Sequence, residues 1–212
     1  LTIEVIGHQW WWEVRYPESG VVTANEVVIP VGETVRLELS SVDVIHSFWV
    51  PVLNGKMDLI PGQTTSLPLE ASLAGEYFGF CAEFCGVQHA RMNLLVVAQE
   101  RSDFDAWLAT QQLAAPPPND ATTLAGQQVF LGSACVYCHT VRGTNASGKL
   151  GPDLTHLASR RLLGAGALPN TRGNLAGWIV NSQTTKPGNR MPPMYLGGSE
   201  LQSLLAYLET LR

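Results

Sequence analysis

The sequence lacks any long hydrophobic run, and no stretch approaches the roughly 18 consecutive apolar residues that a membrane-spanning helix requires. The N-terminus also lacks the charged and then apolar segments of a signal peptide, and the chain begins at Leu1 rather than at an initiator methionine. These absences predict a processed or excised part of a longer protein, with any membrane anchor outside this chain. An apolar content of 45% over 212 residues predicts globular folding and argues against disorder.

Positive charge is scarce in the first half of the chain. Residues 1–99 contain 4 Lys and Arg against 11 Asp and Glu, whereas residues 100–212 contain 9 against 7. An acidic first half argues against nucleic-acid binding, because it repels the phosphate backbone. It suits a cationic protein partner. A role of the acidic residues in solubility alone explains the same charge equally well.

Cysteine is also scarce, and the four cysteines form two close pairs, Cys81 with Cys85 and Cys135 with Cys138. Each pair is too local for a typical loop-closing disulfide, and no cysteine remains for another pairing. A histidine follows each pair within a few residues. The sequence therefore predicts metal-ligand or covalent cofactor chemistry at both pairs.

Residues 1–99 contain runs of β-branched and aromatic residues bounded by Gly, Pro, Asn and Ser. The runs cover residues 3–16, 25–41, 63–70, 75–81 and 92–99. Such short, regularly spaced strands predict an all-β Greek-key sandwich or barrel over 1–99. A helix is predicted over 102–114, and the Pro-rich stretch 114–120 predicts a stiff spacer. Together they form a helix and linker segment over 100–118.

The remaining chain, residues 119–212, has a helical pattern. Helices are predicted over 123–135, 174–184 and 199–212, with loops over 143–153 and 186–194. This composition indicates a small all-α domain, which would gain stability from a cofactor inside its core.

The stretch CVYCH, residues 135–139, matches the pattern for covalent attachment of a c-type haem. Cys135 and Cys138 would bind the haem covalently, and His139 would reach the iron. Zinc ribbons and redox dithiols also use C-x-x-C, but a zinc ribbon would need a second such pair, which the chain lacks. The MPPM loop supplies a thioether for the other face of the iron, with Met191 preferred and Met194 as the alternative.

These residues, together with a GPDLTHL loop and the MPP segment before the last helix, make residues 119–212 similar to a class I cytochrome c. The resemblance implies one covalently bound haem c with His139 and Met191 as axial ligands. It also implies that Pro152 packs against His139. His156 has no role in this pattern and is interpreted as a surface or loop residue.

The stretch CAEFCGVQHARM, residues 81–92, places two thiols, an imidazole and a thioether within twelve residues. Soft thiolates with imidazole and a weak thioether select copper, whereas structural zinc more often uses C-x-x-C pairs. Two cysteines on one loop can each bridge a pair of copper ions. A further histidine from another strand is expected, with His46 as the candidate besides His8.

Residues 1–99 resemble the copper domain of cytochrome c oxidase subunit II. The resemblance rests on GHQWWWEVRYP, SSVDVIHSFWVP, GKMDLIPGQ and CAEFCGVQHARM. It implies a cupredoxin fold and a binuclear copper A centre with these ligands: bridging Cys81 and Cys85, terminal His46 and His89, the weak ligand Met92, and the backbone carbonyl of Glu83. It further implies that the Glu83 side chain approaches a magnesium ion shared with subunit I in the assembled complex.

The first strand pattern contains three consecutive tryptophans, Trp10 to Trp12. Strand alternation predicts Trp10 and Trp12 on one face and Trp11 on the other. The resemblance places Trp10 on the electron path, at a surface that faces subunit I. Trp12 is expected in the core.

A subunit II domain followed by a haem c domain resembles the caa(3)-type oxidases. The resemblance implies the electron-entry subunit of an aa3-type, proton-pumping terminal oxidase, which carries no catalytic residue for bond chemistry in this chain. Electrons from a cytochrome or another small redox protein would pass through haem c and copper A to haem a. Subunit I would also hold haem a3 and copper B, where oxygen is reduced to water. The complex is expected in the bacterial cell membrane with this domain on the periplasmic or outer face, and the chain as a soluble fragment without the N-terminal membrane helices.

Three alternatives come from other classes of protein. Nitrous oxide reductase has a similar copper loop, but its tetranuclear copper cluster needs many histidines, and this chain has five. A copper carrier would need neither a haem domain nor the tryptophan strip. A zinc-stabilised interaction module would be colourless and inactive in redox reactions.

Overall fold

The computed structural model describes residues 1–212 and divides them into two compact units. The sheet unit comprises residues 1–112, 164–167 and 186–190, and the helical unit comprises residues 113–163, 168–185 and 191–212. None of the helices combines the length and the apolar character needed to cross a membrane.

Ten strands build the sheet unit. They are β1 (Thr2–His8), β2 (Trp11–Tyr16), β3 (Val21–Ala24), β4 (Glu26–Pro30), β5 (Val35–Ser41), β6 (His46–Trp49), β7 (Met57–Leu59), β8 (Thr65–Leu69), β9 (Gly75–Cys81) and β10 (Asn93–Gln99). One five-stranded sheet has the order β3-β2-β1-β5-β8, and the other has the order β4-β10-β9-β6-β7. The pairs β1 with β5 and β4 with β10 are parallel, and the others are antiparallel. This arrangement confirms the predicted all-β sandwich.

The apolar side of each strand fills the core of the sheet unit. In β5, Val35 and Leu37 are fully buried, while Arg36 between them is exposed. This period of two is the pattern of a strand with one face towards a core. Trp12 is fully buried as well and contacts the ring of Phe48 edge to face at 6.1 Å, so its predicted place in the core is confirmed.

The stretch from residue 3 to residue 16 is not one strand. β1 ends at His8 and β2 begins at Trp11, directly opposite each other in the ladder. Gln9 and Trp10 therefore form the turn of a hairpin, and the prediction that Trp10 and Trp12 share one strand face was wrong. The turn contains none of the Gly, Pro, Asn or Asp residues that usually mark one. It is held instead by a distant residue, since the Gln9 amide donates to the Asp43 carboxylate at 2.7 Å.

Short helices and a hairpin complete the chain. The helix α1 (Arg101–Gln111) belongs to the sheet unit, and Phe104 packs its ring against Tyr16. The helical unit contains α2 (Ala121–Gly132), α3 (Cys135–Cys138), α4 (Arg172–Asn181) and α5 (Gly198–Leu208), together with a two-stranded hairpin of β11 (Leu162–Leu163) and β12 (Leu168–Pro169). Helices α1, α2, α4 and α5 begin within one or two residues of where the sequence predicts them to begin, whereas no separate helix was predicted for the short α3.

Helices α2 and α5 pack against each other at very short range. A Cβ atom placed on Gly126 of α2 would lie 1.9 Å from the backbone oxygen of Ser203 on α5, so only glycine fits at this crossing. Phe130 and Tyr207 extend the contact, with ring centroids 6.0 Å apart in the apolar core of the unit. Helices α2 and α5 therefore pack together at the core of the helical unit.

Candidate metal centres

The first candidate centre lies at one end of the sheet unit. Cys81 is the last residue of β9, and Met92 directly precedes β10, so the loop between these neighbouring strands carries the sequence-predicted cluster. The loop is closed at its base, because the Cys81 amide donates to the Met92 carbonyl at 3.0 Å. A short 3₁₀ turn, His89–Arg91, brings His89 back towards the cysteines.

His46 comes to the same place from a different strand. It opens β6, which pairs with β9 so that Phe48 lies opposite Cys81. The imidazole is fully buried, and its Nδ1 lies 3.8 Å from the Cys81 sulfur. Because β6 and β9 are neighbours in the sheet, a residue 35 positions earlier in the chain becomes a neighbour of the cysteine loop.

Six potential donor atoms converge here. The sulfurs of Cys81 and Cys85 are 3.8 Å apart, His89 Nδ1 lies 3.7 Å from the Cys85 sulfur, and the Met92 thioether lies 3.9 Å from the same sulfur. The Glu83 carbonyl oxygen lies 3.2 Å from the Cys81 sulfur. Two ligands bound tetrahedrally to one metal at about 2.3 Å stand about 3.8 Å apart, so the sulfur spacing fits a metal between them.

The residues also fit copper by their chemistry. The set combines two thiols, two imidazole nitrogens, a thioether and a carbonyl oxygen, and soft sulfur ligands with imidazole favour copper. Cys81, Cys85 and Met92 are all buried, which keeps water away from the sulfur atoms. The two cysteines are free thiols, and their 3.8 Å separation is far beyond a disulfide bond.

The two thiols differ in acidity. The hydrogen bond from the Cys85 thiol lowers the pKa of Cys81 to about 3, against the effect of burial. The same interaction, reinforced by burial, raises the pKa of Cys85. One thiolate therefore forms readily and discourages the second, and a bound cation would stabilise both.

A carboxylate orients the buried histidine. Asp43 Oδ1 lies 2.9 Å from Nε2 of His46, which leaves Nδ1 towards the sulfurs. Burial alone would raise the pKa of Asp43, but hydrogen bonds from His46 and from the backbone amides of Val44 and Gln9 hold this pKa below its ordinary value. A carboxylate on the outer nitrogen of a metal-binding histidine fixes its tautomer and ring orientation.

The tryptophan turn touches the cysteine loop. The Trp10 indole Nε1 and the Gln9 side-chain amide both donate to the Cys85 carbonyl, at 2.9 and 2.8 Å. Trp11 is stacked on His8, with ring centroids 4.2 Å apart. Trp12 contacts the His46 ring edge to face at 6.0 Å. The three tryptophans thus have three different neighbours, and Trp10 is linked to the backbone of a predicted ligand.

The second candidate centre lies in the helical unit. Cys135 and Cys138 are the first and last residues of α3, so one helical turn places both thiols on the same side. His139 follows, and its Nδ1 lies 2.7 Å from the Pro152 carbonyl. Burial lowers the pKa of His139, which favours the neutral imidazole that binds metals. With Nδ1 engaged, Nε2 is the nitrogen left for an iron ion, so these residues fit a c-type haem.

The two methionines of the MPPM loop have different surroundings. Met194 packs against the apolar core of the helical unit, and its amide donates to the Ile179 carbonyl at 3.2 Å. The Met191 carbonyl accepts hydrogen bonds from the Ser182 hydroxyl at 2.7 Å and the Gln183 amide at 3.0 Å. The core contact of Met194 favours Met191 as the methionine for the iron.

His156, interpreted as a surface or loop residue, does lie in a turn, but it is not at the surface. Its side chain is 3% exposed, and Nε2 lies 3.0 Å from the Leu113 carbonyl. A single histidine in the segment LTHL gave no periodic signal of burial. The structure makes His156 a hydrogen-bonded interior residue of the helical unit.

Sequence reasoning missed three residues at the copper-type centre. Asp43 binds the outer nitrogen of His46, and its position three residues before that histidine was an available signal. Gly7 lies so close to His46 that a Cβ atom would come within 2.6 Å of the ring. Lys186 donates to the Trp10 carbonyl at 3.1 Å. The contacts of Gly7 and Lys186 join residues distant in sequence, so no local pattern indicates them.

Comparisons with known proteins cover both units. Residues 20–99 match the family described as cytochrome c oxidase subunit II, periplasmic domain, and residues 124–212 match the cytochrome c family. A solved structure of the periplasmic domain of subunit II of cytochrome oxidase from Bradyrhizobium japonicum is 31% identical. The structural match covers 53% of this chain and 93% of the chain in that structure, with a TM-score of 0.51. The predicted fold, a cupredoxin-like domain followed by a helical cytochrome c domain, is confirmed.

Two curated relatives match along the whole chain, and both are named cytochrome c oxidase subunit 2. The protein from Alkalihalophilus pseudofirmus is 41% identical over 99% of this chain, and the protein from a Bacillus species is 33% identical over 100% of it. The chain spans 61% and 62% of the length of these relatives.

Proposed function

Because the chain belongs to the cytochrome c oxidase subunit II family, with a cytochrome c domain after the copper domain, we propose that it is the electron-entry part of an aa3-type terminal oxidase. In this function, electrons would pass from a donor through haem c and copper A to haem a of subunit I for the reduction of oxygen to water. The observation that carries the proposal is the convergence of six potential ligand atoms, five of them soft or borderline, around Cys81 and Cys85.

When bound, haem c and copper A would each supply a one-electron couple, and the two coppers of copper A would share one electron with little geometric change. We assign the copper ligands as predicted: Cys81 and Cys85 bridging, His46 and His89 terminal, Met92 as weak ligand, and the Glu83 carbonyl. The protein contributes rigidity, because the donors sit on strand ends and on a loop closed at its base. The protein also excludes water from the site, because the sulfur ligands are buried.

We assign Cys135 and Cys138 to covalent haem attachment and His139 and Met191 to the axial positions. The Pro152 carbonyl fixes the His139 ring and its tautomer. Large apolar side chains are exposed in this unit, including Leu150 at 77% and Tyr195 at 96%. Such side chains beside the attachment motif and the MPPM loop suit contact with the face or edge of a haem.

A metal assay together with visible and EPR spectra of the purified protein tests the proposal. We expect two coppers per chain with a delocalised mixed-valence signal, and one iron with a c-type spectrum. Cys85→Ser should abolish the copper signal and leave the haem spectrum unchanged. One copper, zinc or no metal in the purified protein would instead support the carrier or the zinc-module alternatives.

Trp10 is our candidate for the electron path from copper A to subunit I. Its indole donates directly to the carbonyl of a copper ligand, Cys85. In the assembled oxidase, Trp10→Phe should slow electron transfer from copper A to haem a while the copper spectrum stays the same. Trp11→Phe, which changes a ring stacked on His8, is the matched control and should leave the rate unchanged. Equal rates in both variants would contradict the assignment.

Glu83 is proposed to have a second role. Its carbonyl faces the Cys81 sulfur, and its side chain is half-buried. The carboxylate, which is not among the copper ligands, is available to a magnesium ion shared with subunit I. In the assembled oxidase, Glu83→Gln should weaken binding of Mn²⁺, used as a paramagnetic substitute for magnesium, and leave the copper signal intact.

The acidic first half of the chain is proposed to contribute modestly to docking of a cationic electron donor. The complex is proposed to lie in the bacterial cell membrane, with this part on the periplasmic or outer face and subunit I as its partner. Reduction of the protein by a cationic cytochrome should slow as ionic strength rises. A rate independent of salt would remove the docking contribution.

A further inference from the structure

Lys186 is a buried cation in the sheet unit. Its side chain is 2% exposed, and its ammonium group donates to the carbonyl oxygens of Trp10 at 3.1 Å and Gly164 at 3.0 Å. Lysine is almost never fully buried, because removing an ammonium group from water is costly unless its hydrogen bonds and charge are satisfied. A lysine in this position therefore calls for a specific role.

The ammonium group is two contacts away from the copper-type centre. Lys186 binds the Trp10 carbonyl, and the Trp10 indole binds the Cys85 carbonyl at 2.9 Å. Gln9, the other residue of the same turn, donates to the Cys85 carbonyl as well. Fixing the turn thus fixes two hydrogen bonds to the backbone of a proposed bridging ligand.

The charge of Lys186 also interacts electrostatically with Cys85. Burial lowers the pKa of Lys186 to about 8, a thiolate on Cys85 would raise it, and the positive charge of Arg91 lowers it. The ammonium form therefore predominates at neutral pH. A positive charge in a poorly solvated region interacts strongly with a nearby redox centre, because the local dielectric constant is low. It stabilises the reduced centre more than the oxidised one, since reduction adds one negative charge.

We propose that Lys186 is a positioning residue of the copper centre, which holds the Gln9–Trp10 turn against the Cys85 carbonyl and raises the reduction potential through its buried charge. This inference rests on the proposed function, because it requires copper A at the cysteine loop. It assigns a role in that function to a residue outside the cupredoxin segment of the sequence.

Redox titration of the copper- and haem-loaded protein tests the inference. Lys186→Gln removes the charge but retains a donor for the two carbonyls. We expect two coppers and a mixed-valence EPR signal as in the parent protein. We also expect about a tenfold fall in the equilibrium constant for copper reduction, which corresponds to about 59 mV for a one-electron couple. The haem potential from the same titration is the internal reference.

Three further variants complete the test. Lys186→Arg keeps the charge and should restore most of the potential, while Lys149→Gln removes an exposed lysine and should change nothing. Lys186→Met is a second neutral variant, and either neutral variant is sufficient if the other does not fold. A neutral variant with the parent's potential would overturn the inference and leave the proposed function intact. A parent protein without copper A would overturn the proposed function itself.

Discussion

Gly7 is the position where a single methyl group should disturb the copper site most directly. It lies in β1 between Trp12 of β2 and Ser41 of β5, so its backbone is held by strands on both sides. A Cβ atom here would lie 2.6 Å from Cδ2 and 3.0 Å from Cγ of His46. Carbon atoms pack at about 3.5–4.0 Å, so Gly7→Ala requires the His46 ring to move by about 1 Å.

The ring has no free direction for this movement. Trp12 lies against it edge to face, Asp43 binds its Nε2 at 2.9 Å, and the Cys81 sulfur lies 3.8 Å from its Nδ1. We therefore expect Gly7→Ala to destabilise the metal-free protein by about 1–3 kcal/mol, as overpacking of a core does. Copper affinity should fall by about 10–100-fold, the usual effect of changes in the groups that orient a ligand.

Thermal unfolding of the metal-free protein and copper titration against a competing chelator measure the two effects, and EPR reports the geometry of the bound copper. Gly55→Ala is the matched control, because no atom lies within 4 Å of a Cβ at Gly55 and the residue is exposed. If Gly7→Ala bound copper with the affinity and EPR spectrum of the parent, close packing against His46 would not be what orients this ligand.

Other variants test the remaining interactions. Asp43→Ala should weaken copper binding by about 10–100-fold. Because hydrogen bonds hold the pKa of Asp43 below its ordinary 3.8, the metal-free parent gains stability from this carboxylate above that pH and loses the gain as the pH falls, so acid unfolding should depend less on pH in the variant. Gly126→Ala should destabilise the helical unit by at least about 1–3 kcal/mol, whereas Gly177→Ala, exposed in α4, should stabilise it by up to about 1 kcal/mol in thermal unfolding. Met191→Leu should lower the haem c potential and change its visible spectrum, while Met194→Leu should affect only stability; the reverse result would make Met194 the axial ligand.

The strands and helices were largely predictable, because each repeats a local pattern. Alternating burial in β5 and helical spacing in α5 both appear directly in the sequence. The short strands β3, β6 and β7 were not predicted, since three or four residues are too few to show a period. The turn at Gln9 and Trp10 was missed for a different reason, because a hydrogen bond to distant Asp43 takes the place of turn-forming residues.

The sequence by itself determined which chemistry each candidate site offers. Five of the six proposed copper donors lie within twelve residues, and the haem attachment motif spans five, so spacing along the chain already brings these groups together. Tertiary structure alone decided how the copper-type site is completed and oriented. His46 arrives through the pairing of β6 with β9, Asp43 and Gly7 fix its ring, and Lys186 reaches the Trp10 carbonyl. These contacts join residues far apart in sequence, and only the packed strands and loops set the distances between them.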